Sequence, residues 1–299
     1  MKIGIDLGGS HIAIGVINND GKIVEKVEKR LTLPEKQNIK KVIEDYIIYN
    51  VNKYMEQYEI TEVGIAIPGT VNKESIVKSV NLGIEDYNIV QNLKEKINLP
   101  IKIRNDAKCA AIAENEYGCL KEYDRNLFLT LGTGIGGAVI INNELLGTGD
   151  LPGCEIGHMV IEKNGIPCNC GKKGCFERYA SIKSLKQRIT KTLNLDSSDI
   201  SGQYMREHLM VEYHDQVQED INDFLTYLRI GICNLIDIFE PEVICFGGSF
   251  SYYEGHPVLN KLIEEINKPE MTFNDGEKPK IVTALFKNDA GIIGATLDN

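Results

Sequence analysis

Residues 126–142, NLFLTLGTGIGGAVIIN, decide how the chain is read. Asn126 to Leu131 is an apolar run of strand length. The glycine-rich turn Gly132-Thr133-Gly134-Ile135-Gly136-Gly137 follows, and Ala138 to Asn142 reads as the next strand. The N-terminus repeats this order in residues 3–18, IGIDLGGSHIAIGVIN: a strand at 3–7, the turn Asp6-Leu7-Gly8-Gly9-Ser10, and a strand from Ile12 to Ile17. In both places Asn-Asn precedes another turn. Any two β-hairpins share some of this pattern. A recurrence at such long spacing nevertheless suggests two related domains rather than a solenoid.

Working outward, the chain alternates strands and helices. Lys22 to Lys29 alternates like a third strand after the turn Asn19-Asp20-Gly21. Residues 37–57 have helical periodicity in Ile39, Val42, Ile43, Tyr46, Ile47 and Val51. Glu62 to Ile67 is a strand ended by Pro68-Gly69. Ile89 to Ile97 reads as a helix stopped before Pro100. The strand Ile101 to Arg104 leads into a helix from Ala107 to Tyr117, and Val243 to Phe246 is a strand before Gly247-Gly248. This is an α/β chain, and 299 residues suffice for two cores.

Composition narrows the class of function. The net charge of −10 argues against a nucleic-acid-binding face, which would be basic. No run of 18 apolar residues offers a membrane span, and the N-terminus reads as a strand rather than a signal peptide. A soluble, cytoplasmic protein without membrane or nucleic-acid partners is expected. Its eight cysteines should then be reduced. Cys109, Cys119, Cys154, Cys233 and Cys245 lie in apolar or small-residue contexts and read as buried hydrophobes.

The glycine turns carry the first chemistry. Glycine admits a ligand close to the backbone, and successive N–H groups form a nest for phosphate oxygens. Neither turn opens a helix with Lys-Ser/Thr, which excludes a P-loop. Each turn alone is an ordinary tight turn; three of them after buried strands point to a nucleotide. Asp106, where a strand meets a helix, has two readings. It is a helix N-cap, or it is the general base that deprotonates a hydroxyl. Asp6 is the other carboxylate at a strand end, suited to magnesium or to water-mediated phosphate contacts.

The strongest signal is His158, Cys168, Cys170 and Cys175, spaced H-x9-C-x-C-x4-C. Three thiolates and an imidazole match a closed tetrahedral zinc site, which leaves no open position for catalysis. Disulfides and redox use of Cys168 and Cys170 are the alternatives.

Taken together, Asp6-Leu7-Gly8-Gly9, Asn105-Asp106-Ala107, Leu131 to Gly137, Gly153-Cys154-Glu155-Ile156-Gly157-His158, Cys168 to Glu177, and Gly247-Gly248 resemble the ROK family of repressors and sugar kinases over essentially the whole chain. The resemblance implies a two-domain actin-like, ribonuclease-H-like ATPase fold with a cleft between duplicated domains. An N-terminal domain of residues 1–118 is expected, with a C-terminal helix of about 289–299 returning to it. A second domain of 119–288 carries the zinc loop 158–175.

It implies a glucokinase-like transferase that uses ATP and Mg²⁺ to phosphorylate a hexose at its 6-hydroxyl, with closure of the domains excluding water. Asp106 then looks like the catalytic base. Gly69, Asn81, Asn105, Asp106, Glu155, His158 and Glu177 look like sugar ligands. Asp6, Gly8, Gly9, Ser10, Thr133, Gly134, Gly247 and Gly248 look like nucleotide contacts. His158 would hold zinc through one ring nitrogen and meet sugar through the other. A homodimer is implied as well. Ser10 replaces the usual threonine, and His11 stands where lysine is common. Only five residues precede Asp6, too few for a DNA-binding helix-turn-helix. Glucose, N-acetylmannosamine, allose and fructose all remain candidate substrates. A sugar sensor without turnover is the reading from another class.

Overall fold

The computed structural model describes residues 1–147, 153–268, 271–273 and 277–298. Its strands are β1 (Lys2–Leu7), β2 (His11–Ile17), β3 (Ile23–Arg30), β4 (Glu62–Ile67), β5 (Thr70–Val71), β6 (Ile76–Ser79), β7 (Ile84–Tyr87), β8 (Ile101–Asn105), β9 (Arg125–Leu131), β10 (Ile135–Ile141), β11 (Glu144–Leu145), β12 (Val243–Gly248) and β13 (Lys280–Thr283). Its helices are α1 (Leu33–Lys36), α2 (Ile39–Gln57), α3 (Ile89–Lys94), α4 (Asp106–Tyr117), α5 (Glu177–Ala180), α6 (Ile182–Thr192), α7 (Gly202–Tyr204), α8 (Met210–Glu212), α9 (His214–Phe239), α10 (Pro257–Ile266) and α11 (Ala290–Ala295). No helix among the described residues is long and apolar enough to cross a membrane.

The chain divides into two compact units. The first comprises Met1–Lys121, Asn143–Gly153 and Asn288–Asn299, and the second Glu122–Asn142 and Cys154–Lys287. This differs from the expected boundary at 118/119, because the chain returns to the first unit after β10. Asn115 Nδ2 donates to Asn143 Oδ1 at 3.0 Å and Lys108 Nζ to the Gly147 carbonyl at 3.2 Å, tying that excursion to α4. The expected C-terminal helix is shorter than 289–299, and Asn299 lies outside the described residues.

The first unit's sheet has the order β3-β2-β1-β4-β8. β1 runs antiparallel to β2 and parallel to β4, and β4 runs parallel to β8. In the second unit β10, β9, β12 and β13 lie in the same succession, with an antiparallel β9/β10 hairpin and parallel β9/β12 and β12/β13 pairs. The recurrence legible in residues 3–18 and 126–142 is therefore a recurrence of topology. A small antiparallel sheet, β5-β6-β7, completes the first unit.

Strand alternation explains what covers each face. In β1 the odd positions Ile3, Ile5 and Leu7 join one buried cluster with Ile43, Ile47 and Val51 of α2. The even positions face α11. A Cβ on Gly4 would lie 1.9 Å from the Ile292 carbonyl oxygen, and one on Gly64 would lie 1.8 Å from that of Ala295. On the other side of α11, a Cβ on Gly294 would lie 1.7 Å from the Cys109 oxygen in α4. The last helix thus sits backbone to backbone between sheet and α4, at a spacing that only glycine permits. In the second unit Leu127, Leu129 and Leu131 of β9 pack with residues of α6, α9 and α10 in one large apolar cluster.

Two expectations shift. Gly136 and Gly137 belong to β10 rather than to the turn. A Cβ on Gly137 would press within 2.7 Å of Ile156 Cδ1 and 2.9 Å of the Phe128 oxygen, so this glycine serves close packing. Cys119 and Cys154 are half-buried, unlike the buried Cys109, Cys233 and Cys245. Cys154 has a positive φ of 56°, and Cys119 sits in the turn that leaves α4.

Gly294→Ala is expected to lower the unfolding free energy by about 1–3 kcal/mol or more, the cost of overpacking a close contact. Gly202→Ala, whose Cβ meets nothing within 4 Å, should change it little. Urea denaturation of both variants provides the check, and equal midpoints would contradict the account of α11.

Candidate functional site

In the first unit the chemistry gathers at the carboxyl ends of the parallel strands. The registers Asp6↔Ala66 and Ile67↔Asn105 put the ends of β1, β4 and β8 along one edge. That edge is where open α/β sheets bind ligands. Asp6 is the penultimate residue of β1. Its carboxylate packs on α11, where a Cβ on Gly291 would lie 3.0 Å from Asp6 Cγ. The Gly8 N–H donates to the His11 carbonyl at 2.8 Å and so closes the turn itself. Ser10 is exposed at its tip. Gly9 lies against Asn81, whose carbonyl oxygen would be 3.0 Å from a Cβ there. His11 Nε2 is 3.8 Å from Asp6 Oδ2. Pairing with that carboxylate holds the imidazole pKa above its ordinary value, against the opposing effect of burial. More of His11 is therefore cationic near neutrality than an unpaired histidine would be.

The Asn105-Asp106 step is more specific than a strand-to-helix junction. Asn105 is the N-cap of α4: its Oδ1 accepts the Lys108 N–H at 3.2 Å, while its Nδ2 donates to the Gly69 carbonyl at 2.9 Å. Gly69 holds φ at 104°, and a Cβ there would meet the Lys78 oxygen at 2.4 Å. Asn105 thus fixes the loop after β4 to the start of α4. Asp106 is the first helical residue rather than the cap, with Oδ1 accepting the Ala107 N–H at 2.8 Å. A carboxylate in the first turn is further stabilised by the helix dipole. Gly69, Asn81, Asn105, Asp106 and the Gly8-Gly9 turn are all brought to this region.

The second unit repeats the arrangement. The pair Gly248↔Leu131 sets the turn after β12 beside the turn after β9. Gly248 has φ at 64° and lies within 2.6 Å of Thr130 Oγ1, measured from a built Cβ. Ser249 Oγ donates to the Leu131 carbonyl at 3.1 Å. Gly132 N–H closes onto the Gly134 oxygen at 3.0 Å, and the Gly132 oxygen accepts the Lys183 N–H of α6 at 3.1 Å. Thr133, Gly134, Gly247 and Gly248 therefore share one edge.

His158, Cys168, Cys170 and Cys175 converge. Their ligating atoms all lie within 4.8 Å of one another. His158 Nδ1 is 3.6 Å from Cys168 Sγ, and the Cys170 and Cys175 sulfurs are 3.6 Å apart. None of the four is in a disulfide. Burial, with the sulfurs of Cys170 and Cys168 beside it, pushes the Cys175 thiol up to about 12. Burial also opposes the Cys170 thiolate, but the Lys172 backbone N–H and the adjacent sulfurs outweigh it and lower that pKa. Such crowded thiols resist ionising together, and a dication relieves the conflict. The donor set of three sulfurs and one nitrogen fits zinc.

The backbone around the cluster is equally constrained. Gly171 and Gly174 have φ of 93° and 77°, and a Cβ on Gly174 would lie 1.7 Å from the Glu162 oxygen. Tyr179 Oη accepts the Ile166 N–H at 2.6 Å, a contact that no motif in the sequence signals. Phe176 is fully buried against Gly231 of α9 and anchors the knuckle in the core. Glu155 is exposed just before the turn that carries His158. Glu177 Oε2 accepts the Ile135 N–H at 3.0 Å.

One zinc per chain is expected by elemental analysis of the purified protein. Cys170→Ser should lose it, and Cys245→Ser should retain it because Cys245 is buried in β12. Wild-type protein without metal, or full zinc in Cys170→Ser, would contradict the assignment.

The chain is similar to known proteins in sequence and in fold. Over 272 residues the chain is 32% identical to a xylose repressor from Bacillus subtilis, covering 89% of this chain and 68% of the repressor. It is 30% identical to a glucokinase from Thermotoga maritima over 306 residues, covering 98% and 95% of the two chains. A ROK family glucokinase from Streptomyces griseus, solved with glucose and AMPPNP, has the same fold, with a TM-score of 0.83, 24% identity, and coverage of 98% and 97%. This is the two-domain actin-like ATPase fold. The family model for ROK proteins matches residues 2–297, and the chain belongs to the ROK family.

Proposed function

We propose that the protein transfers the γ-phosphoryl group of ATP to the 6-hydroxyl of a hexose, with Asp106 as general base. The observation that carries this reading is the division of roles at the start of α4: Asn105 caps the helix, and Asp106 beside it is not the cap. A sugar hydroxyl is a poor nucleophile. A carboxylate within hydrogen-bond reach takes its proton as the oxygen attacks the γ-phosphorus in line. Orientation of the two reactants supplies much of the remaining acceleration.

In this reading Gly69, Asn81, Asn105, Glu155, His158 and Glu177 bind sugar hydroxyls. His158 presents Nδ1 to Cys168, so Nε2 is its atom for the sugar. When bound, zinc would fix that tautomer and order the glycine- and lysine-rich loop, a structural role. The phosphates would meet the backbone and hydroxyls of Gly8, Gly9, Ser10, Thr133, Gly134, Gly247 and Gly248. Asp6 is a hard oxygen donor of the kind that meets a magnesium ion carried by the nucleotide, directly or through water. The glucokinase relative and the nucleotide and sugar in the Streptomyces griseus complex support ATP and glucose as the ligands. N-acetylmannosamine, allose and fructose are the competing sugars.

A second reading is a sugar sensor without turnover, and the similarity to the Bacillus subtilis repressor favours it. Asp106→Asn separates the two. The cap is Asn105, so the variant should fold and bind sugar as before. Its sugar-dependent ADP release should fall roughly 10²–10⁴-fold, the usual worth of a general base. A variant that retains more than about a tenth of wild-type turnover would rule out Asp106 as the base.

A further inference from the structure

Ile135, the first residue of β10, is held on both sides by the segments that carry the metal ligands. Glu177, two residues after Cys175, accepts the Ile135 N–H through Oε2 at 3.0 Å. Gly157, immediately before His158, packs on the other side, where a Cβ would lie 2.0 Å from the Ile135 carbonyl oxygen. The turn itself is shaped to admit this carboxylate. A Cβ on Gly134 would lie 2.2 Å from Glu177 Oε2, so the glycine leaves room for the side chain that grips its neighbour. Glu177 is in turn fixed at its base: Phe176 is buried in the core and its N–H donates to the Met159 carbonyl at 2.8 Å.

We infer that Glu177 is a positioning residue that ties the Gly132-Thr133-Gly134 turn to the cysteine knuckle, so that nucleotide affinity depends on metal ligation. This rests on the reading of that turn as a phosphate contact. The physical content is a charge-assisted hydrogen bond to the first N–H after the turn, which limits the conformations the turn can adopt. Loss of the knuckle releases Glu177, and the turn then spends part of its time in shapes that do not meet phosphate. The nucleotide must order it on binding, and affinity falls by that ordering cost.

The test compares Glu177→Ala, Glu177→Gln and Cys170→Ser with the wild-type protein. Three quantities are read: hydrogen exchange of the peptide spanning 132–136 without ligand, Mg·AMPPNP affinity by calorimetry, and zinc content. Glutamine keeps an acceptor oxygen, so Glu177→Gln should retain slow exchange and most of the nucleotide affinity. Glu177→Ala should retain its zinc, exchange faster at 132–136, and bind Mg·AMPPNP roughly tenfold more weakly, about what one charge-assisted hydrogen bond supports. Cys170→Ser should lose zinc and show the same faster exchange and weaker nucleotide binding. Unchanged exchange in Glu177→Ala overturns the tether. Faster exchange with unchanged Mg·AMPPNP affinity overturns the role toward nucleotide, and that failure falls on the turn as a phosphate contact rather than on the tether.

Discussion

Four ligating atoms within 4.8 Å of one another, three of them sulfur, form the constraint on which the second unit's site depends. Thiols this close resist ionising together, and the loop that carries them has little apolar surface to fold by burial. A cation resolves both problems. The consequences spread outward from there. His158 is oriented by one ring nitrogen, Phe176 seats the knuckle in the core, and Glu177 reaches the start of β10. A metal held by these four ligands would have no open position, and would act only through the residues its ligands fix.

The two units use one solution twice. Each places a glycine turn after its first strand and gathers further polar residues where the parallel strands end. The repeated topology gives each unit the same edge, and the two edges differ in content. Beside its glycine turn the first edge carries Asp6, Asn105 and Asp106; the second carries Thr133 with Gly247 and Gly248, and its unit holds the knuckle. Precise placement in the first unit rests on the glycine contacts of α11, which bring the last helix against Asp6 and α4 with no side chain between.

What was legible in the sequence follows the range of the interactions involved. Strand, turn and knuckle are local, so the spacing of glycines and cysteines carried them. Asn105 and Asp106 are both good caps, and only the Lys108 N–H decides which one serves. Glycine usually marks a turn, which made 136–137 look like one; the crowding by Phe128 and Ile156 that puts Gly137 inside β10 arises from distant chain. The return of residues after β10 to α4, the hydroxyl of Tyr179 on Ile166, and the grip of Glu177 on Ile135 are equally non-local. None has a spacing signature, because each depends on where separate elements meet. The short strands β5 to β7 carry too few residues for their alternation to stand out.

The central claim is turnover of a sugar at the expense of ATP. A coupled ADP-release assay on the wild-type protein across glucose, N-acetylmannosamine, allose and fructose tests it most directly. The account expects ADP release that requires a sugar and is fastest with a hexose offering a free 6-hydroxyl, glucose first. Sugar binding detected by calorimetry, with no sugar-dependent ADP release for any member of the panel, would contradict it and leave the protein a sensor.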